Sequence, residues 1–109
     1  MILKIDVLGT EYTIEEATAS TDEKLADYDG YCDTSVKVCV IDKMEVTDPK
    51  RKQDMSVCKK STIRHELVHA FLYESGLDCC SWANIEEMVD WFAIQAPKLL
   101  AAFKAADAL

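Results

Sequence analysis

Positive charge and long apolar runs are what this sequence has least of. Its 109 residues carry 12 Lys and Arg against 20 Asp and Glu, which gives a net charge of -8. The one small basic cluster is Lys-Arg-Lys at residues 50–52, and a nucleic-acid surface needs more clustered positive charge than that. No apolar run approaches the roughly 18 residues that a membrane span requires. We therefore expect no direct nucleic-acid partner and no membrane partner.

The N-terminus lacks the pattern of an export signal, because Asp6 interrupts the apolar run where the signal's core would continue. The chain has five cysteines, and no two of them have the C-x2-C spacing of a zinc knuckle. An odd number of cysteines without an export signal argues for free thiols in a reducing compartment. We expect a cytoplasmic protein in which most of these thiols act as small buried hydrophobes. The cysteines are Cys32, Cys39, Cys58, Cys79 and Cys80.

The length allows a single domain, spanning residues 1–109. The sequence contains no internal repeat and no low-complexity tract. A chain of this size buries a modest core, whereas a deep cleft normally needs two walls. We expect this protein to supply one wall of any cleft, with a partner or a second copy in a homo-oligomer supplying the other.

The first half of the chain has the pattern of short strands. Apolar residues alternate over 2–14 with a turn at residues 9–10, which predicts a β-hairpin. Residues 16–30 are polar and predict a short helix and a turn. β-branched residues then alternate up to residue 41, which predicts a strand over 36–41, followed by a charged loop over 42–54.

The second half has the pattern of helices. A helical repeat runs from about residue 55 to 75 and stops at Gly76, a residue suited to the position after a helix. A second helix begins near Asn84, Pro97 is expected to end or kink it, and a last helical piece covers 98–107. The order predicts an α+β fold, with a small antiparallel sheet packed against a long helix and a second, C-terminal helix.

The residues with the clearest chemistry are His65, Glu66 and His69, which form an HExxH motif. Two histidines four residues apart lie on one face of a helix, so both rings can reach one ion. Neutral imidazole suits Zn²⁺, and the glutamate between them can take a proton from a water that the ion acidifies. On a helical wheel the motif and Tyr73 form one polar stripe on a helix otherwise suited to burial. The chain's only two histidines are both in this motif.

A catalytic zinc site needs a third protein ligand, and no histidine is left to provide it. Glu86 and Asp90 lie one turn apart at the edge of the apolar face of the second helix. Glu86 is favoured as the ligand because Glu87 lies nearly opposite that face and is expected to close a capping box with Asn84. Asp90 is placed to accept the outer ring N–H of one histidine and fix its tautomer. Three residues of the loop between the helices are rival third ligands: Asp78, Cys79 and Cys80.

The motif, followed by Glu86-x-x-x-Asp90 on the next helix, resembles the gluzincin zinc peptidases. The closer likeness is to the small ImmA/IrrE-like metallopeptidases of phages and mobile elements. It is carried by residues 64–71 (RHELVHAF) and 91–93 (WFA). The resemblance is specific over about 61–96 and weaker over 28–42.

This resemblance implies a minimal zincin-like fold with one Zn²⁺ per chain. By it, His65, His69 and Glu86 would be the metal ligands, Glu66 the catalytic base, and Asp90 the orienting carboxylate. It also implies a bacterial or phage-infected cell as the setting. The substrate it implies is a protein or peptide, such as a repressor or another regulatory protein.

The expected reaction is amide hydrolysis, with the substrate lying extended along a free edge of the strand at 36–41. Tyr73, Tyr31 and Arg64 are candidates for a donor to the developing oxyanion, although packing roles would also explain each of them. The competing hypothesis is a catalytically silent zinc-binding module of a phage or mobile element, with a regulatory or interaction role.

Overall fold

The described residues, 2–45, 52–79 and 81–109 of a computed structural model, form one sheet, a short 3-10 helix and two α-helices. In chain order the elements are β1 (Ile2–Val7), β2 (Thr10–Ala17), a 3-10 helix (Glu23–Ala26), β3 (Gly30–Asp33), β4 (Val38–Asp42), α1 (Ser56–Glu74) and α2 (Glu86–Ala105). The predicted α+β class is confirmed. Lys50 and Arg51 of the basic cluster and the rival ligand Cys80 lie outside the described residues.

The sheet has the strand order β1-β2-β4-β3 and is mixed, whereas the sequence predicted an antiparallel one. β1 and β2 form the predicted hairpin, with a turn at Leu8 and Gly9, whose φ angles are +51° and +90°. After β2 the chain crosses to the outer strand β3 and returns as β4 between β2 and β3. β4 is therefore antiparallel to β3 but parallel to β2.

The strand predicted over 36–41 is part of a second hairpin. The Asp33 carboxylate accepts hydrogen bonds from the backbone N–H (3.0 Å) and the hydroxyl of Ser35. These two bonds form a side-chain turn that ends β3. Lys37, with φ of +59°, completes the reversal into β4. Because β4 is paired on both sides, the prediction that a substrate lies along its free edge is wrong. Among the described strands, the free edge on this side of the sheet belongs to β3.

α1 packs on one face of the sheet. The buried cluster between them consists of Val7, Tyr12, Ile14, Cys39, Ile41 and Ala70. β3 comes so close to its neighbours that a Cβ at Gly30 would lie 2.9 Å from the carbonyl oxygen of Val40 and 3.1 Å from the side chain of Thr62. A residue without a side chain is therefore needed where β3 passes α1.

The C-terminal end of α1 is tied to the sheet by Glu74. Its carboxylate accepts hydrogen bonds from Thr10 Oγ1 at 2.8 Å, Tyr12 Oη at 2.7 Å and Lys37 Nζ at 3.0 Å. These donors, the Tyr12 hydroxyl first among them, lower the pKa of Glu74. Residues from β2 and from the turn before β4 thus hold α1 in a fixed rotation about its axis.

Gly76 ends α1 as predicted. It has φ of +78°, its N–H donates to Tyr73 O at 3.1 Å, and the next N–H, of Leu77, donates to Leu72 O at 2.8 Å. These two bonds make a Schellman motif, which satisfies carbonyls that the last helical turn leaves without partners.

The predicted capping box at the start of α2 is wrong. The N-cap residue is Ile85, in an extended conformation and without a side-chain cap. The Asn84 side chain donates instead to the carbonyl of Asp78, across the loop between the helices. Asn84 therefore forms a hydrogen bond within the loop and not the helix cap that its residue type favours, and α2 begins at Glu86.

α2 runs through Pro97 to Ala105, so no separate helical piece follows the proline. Proline has no N–H to donate to the carbonyl four residues earlier, which belongs to Ala93. Arg64 of α1 donates its Nε–H to that carbonyl. A side chain from the neighbouring helix thus replaces the missing backbone donor, and α1 and α2 are joined where the proline would otherwise leave a buried acceptor unpaired.

Among these described elements, neither helix combines the length and the apolar character that crossing a membrane would take.

Candidate metal centre

The two histidines meet in the middle of α1, on the side that faces α2 and β3. Their ring centroids are 4.9 Å apart, and their Nε2 atoms are 3.2 Å apart. Two nitrogens bound to one tetrahedral ion at about 2.0–2.1 Å would lie roughly 3.3 Å apart. His65 and His69 are therefore spaced as two ligands of a single ion.

Glu86 brings a carboxylate to the same point from the first turn of α2. Its Oε2 lies 3.1 Å from His65 Nε2, and its Oε1 lies 2.7 Å from His69 Nε2. Two imidazoles and one carboxylate, all converging, are the donor set of many catalytic zinc sites.

Asp90, one turn further along α2, contacts the other side of His65. Its Oδ1 lies 2.6 Å from His65 Nδ1. A carboxylate oxygen accepts hydrogen bonds, so in this contact the Nδ1–H group of His65 is the donor. The lone pair of Nε2 is then left for a metal, which is the arrangement predicted for an orienting carboxylate.

Glu66 lies beside this group and is largely buried, with 7% of its surface exposed. Its Oε2 is 4.0 Å from His65 Nε2. Loss of hydration on burial raises the pKa of Glu66 to about 7, and the negative charges of Glu86 and Asp90 add to this. Burial lowers the pKa of His69, which favours the neutral imidazole that metals bind.

Within the described residues, His65, Glu66 and His69 form a group able to hold a metal ion, with their ligand atoms within 4.8 Å of one another. The group opens into a cleft of about 530 Å³, which β3 borders through Gly30 and Cys32. Sequence reasoning missed the role of β3. The glycine that lets this strand approach α1 was the signal that could have revealed it.

The candidate oxyanion donors have different surroundings. Tyr73 lines the cleft, and the ammonium of Lys37 lies 4.5 Å from the centre of its ring. Tyr31 also borders the cleft, but its hydroxyl donates to Asp22, and that hydrogen bond raises its pKa to about 12. Arg64 is engaged with the carbonyl of Ala93. Tyr73 is therefore the candidate that keeps its place beside the motif.

The rival third ligands can be compared with Glu86. Asp78 also lines the cleft, and its backbone carbonyl accepts the Asn84 side chain. Glu86 is the one that places carboxylate oxygens within 3.1 Å of both imidazoles. Glu87, its neighbour, is exposed and does not close the capping box that was its alternative role.

No protein family, characterised protein or solved structure matches this chain in comparisons with known proteins. The likeness to ImmA/IrrE-like peptidases therefore stays a resemblance of motifs, and any function has to be argued from the residues themselves.

Proposed function

We propose that this chain is a zinc-dependent peptidase that hydrolyses peptide bonds of a protein substrate. The observation that carries the proposal is the convergence of His65, His69 and Glu86 on one point beside the buried carboxylate of Glu66. A purely structural zinc site is usually closed by four protein ligands, whereas a catalytic one keeps a position open. Three converging donors at the mouth of a cleft fit the second kind.

In this proposal His65, His69 and Glu86 hold the ion. When bound, Zn²⁺ supplies Lewis acidity, which polarises a carbonyl and acidifies water. Asp90 holds the His65 ring in the tautomer whose Nε2 can bind. The remaining chemistry, the movement of protons, falls to the protein's own carboxylate.

Glu66 is the general base. Its carboxylate takes a proton from the attacking water and later delivers it to the nitrogen of the leaving amine. Burial favours this role, because few waters compete for the carboxylate in a dry site. Tyr73 is the side chain we assign to donate to the developing oxyanion.

The substrate binds along β3. Hydrogen bonds alternate along an antiparallel pair, and Asp42 N–H donates to Asp29 O at 2.8 Å. The backbone groups of Tyr31 therefore point towards β4, while those of Gly30 and Cys32 point outwards. An extended peptide can pair with these outward groups, which carries it past the motif with few side-chain pockets.

The substrate class suggested by the resemblance is a regulatory protein such as a repressor. Backbone pairing along β3 requires a segment that can become extended, such as an exposed loop or linker. Recognition of this kind demands little of the substrate's sequence. We therefore expect a mixed peptide library to contain cleavable members.

The test compares Glu66→Gln and Glu86→Gln with wild type, each stripped by a chelator and reloaded with Zn²⁺. The probe is a fluorescence-quenched peptide library. We expect wild type to hold about one zinc per chain and to cleave, Glu66→Gln to keep the zinc and lose cleavage, and Glu86→Gln to lose both. Glu87→Gln, on the same helical turn, is the matched control and should behave as wild type.

Two results would contradict the proposal. If wild type and Glu66→Gln both leave every peptide uncut while zinc removal unfolds the chain, the protein is the silent metal-binding module considered above. If His65→Ala retains the metal at full occupancy, the ligand assignment is wrong.

A further inference from the structure

Two thiols face each other across the hairpin that borders the cleft. Cys32 of β3 and Cys39 of β4 are directly opposite in the antiparallel register. Since Asp29 and Asp42 form a hydrogen-bonded pair, the alternation of the ladder makes Cys32 and Cys39 a non-hydrogen-bonded pair, with Cα atoms about 4.5 Å apart. A disulfide spans Cα separations of about 4.4–6.8 Å. The two sulfurs can therefore be joined without moving the strands apart.

The two side chains also lie on the same face of the hairpin, towards α1. Cys39 belongs to the buried cluster, and Cys32 packs against that cluster. The Cys39 thiol donates to the backbone carbonyl of Glu66, whose oxygen is 3.8 Å from Sγ. The neighbouring Cys39 thiol lowers the pKa of the Cys32 thiol, which makes Cys32 the better nucleophile of the two.

Access to the two sulfurs is unequal. Cys32 lines the cleft together with the HExxH side chains, whereas Cys39 is only 1% exposed. A reagent that enters the cleft meets Cys32 first and can meet Cys39 only through it. This order, an accessible attacking thiol with a buried partner behind it, is the arrangement found in redox-active cysteine pairs.

We propose that Cys32 and Cys39 form a reversible redox pair in the wall of the cleft. The Cys32 thiolate attacks one sulfur of a small disulfide such as oxidised glutathione, forming a mixed disulfide and releasing one glutathione. The Cys39 sulfur then attacks the Cys32 sulfur, closes the intrachain bond and releases the second glutathione, which takes up the Cys39 proton. Two protein thiols lose two electrons and two protons, and one oxidised glutathione becomes two reduced molecules.

This thiol chemistry needs neither the metal nor the peptidase activity proposed above, so its test is independent of the test of the proposed function. Its product would nevertheless change the candidate site. The bond would tie the edge strand β3 to β4 and draw the Cys39 sulfur from the backbone of Glu66 towards Cys32.

The wild-type protein allows a direct test by peptide mapping. Trypsin cuts after Lys24, Lys37 and Lys43, so Cys32 and Cys39 leave on separate peptides, 25–37 and 38–43, unless a disulfide joins them. Native protein, as purified, is treated with oxidised glutathione, alkylated, digested and analysed by mass spectrometry. We expect the two peptides to be recovered linked, and to separate after treatment with dithiothreitol.

The exposed Cys58 reports whether the reagent is active. If Cys58 carries glutathione while peptides 25–37 and 38–43 are both recovered with free thiols, the proposal is overturned. It is equally overturned if Cys32 is recovered linked to a cysteine other than Cys39.

Variants test the order of attack. In Cys39→Ser the Cys32 thiol should accumulate glutathione, because the second thiol is missing. In Cys32→Ser the buried Cys39 should stay unmodified, and the reverse pattern would refute the assigned order. Cys58→Ser is the matched control and should still give the linked peptides. The wild-type map needs no substitution in the core, so it decides the main question even if a core variant does not fold.

Discussion

Replacing Glu66 by Gln should stabilise the metal-free protein at alkaline pH, although it removes the proposed catalytic base. Burial raises the pKa of this carboxyl from 4.5 to about 7, and one pKa unit corresponds to 1.36 kcal/mol. At pH values well above 7, the ionised side chain therefore opposes folding by about 3 kcal/mol. Gln has nearly the same size and carries no charge, so it escapes this cost.

The sign of the pH dependence follows from the direction of the shift. Because folding raises the pKa of Glu66, protonation of this side chain adds to the free energy of unfolding. This contribution is fully present below pH 4.5, the pKa in the unfolded chain, and is lost as the pH rises through about 7. The difference in unfolding free energy between Glu66→Gln and wild type should therefore be small at about pH 5. It should grow by about 2–3 kcal/mol by about pH 8.

Urea denaturation followed by circular dichroism, with a chelator present throughout, measures this difference at several pH values. Glu87→Gln, an exposed position on α2, is the control and should show no growing difference. Adding Zn²⁺ should shrink the difference for Glu66→Gln, because a nearby cation favours the ionised carboxylate. A difference that stays constant from about pH 5 to about pH 8 would refute the claim that burial in the folded chain opposes ionisation of Glu66.

Two further predictions concern the side chains that join α1 to α2. Arg64→Met should destabilise the fold by about 1–3 kcal/mol, because it leaves a buried carbonyl without a donor. In a Pro97→Ala background, which restores the backbone N–H, urea denaturation should show a smaller loss of stability. Equal losses in the two backgrounds would disprove the claim that Arg64 replaces the missing N–H of Pro97. Asp90→Asn should weaken Zn²⁺ binding about 10–100-fold, because a neutral side chain supports the His65 ring less well. Competition with a chromophoric chelator measures this, and an equal effect of Asp78→Asn in the same cleft would show that the loss is not specific to the histidine contact.

The parts of the fold that could be predicted from sequence depend on short stretches of chain. The β1–β2 hairpin follows from alternation over a few residues. The end of α1 follows from Gly76, because glycine adopts the φ of +78° found there without steric strain. The pairing of β4 with β2 could not be predicted in this way. Whether β4 or β3 lies next to β2 depends on contacts between residues far apart in the sequence.

The start and the middle of α2 show the same limit. Asn84 has a strong preference for capping a helix, yet its side chain bonds to Asp78. Pro97 normally breaks a helix, yet α2 continues because Arg64 supplies the missing hydrogen bond. In both cases a tertiary contact, invisible in the local pattern, outweighs a local preference of about 1–3 kcal/mol.

In the candidate metal centre, too, some features follow from the local sequence and others from tertiary packing. The spacing of His65 and His69 determines that both rings share a face, because a helix turns once in 3.6 residues whatever surrounds it. Only the packing of α2 against α1 decided that Glu86 reaches both imidazoles and that Asp90 reaches the far side of one. Only the crossing of the chain made β3 the edge of the cleft. A ligand on the same helical turn is fixed by local geometry, whereas a ligand on another element depends on how the whole core packs.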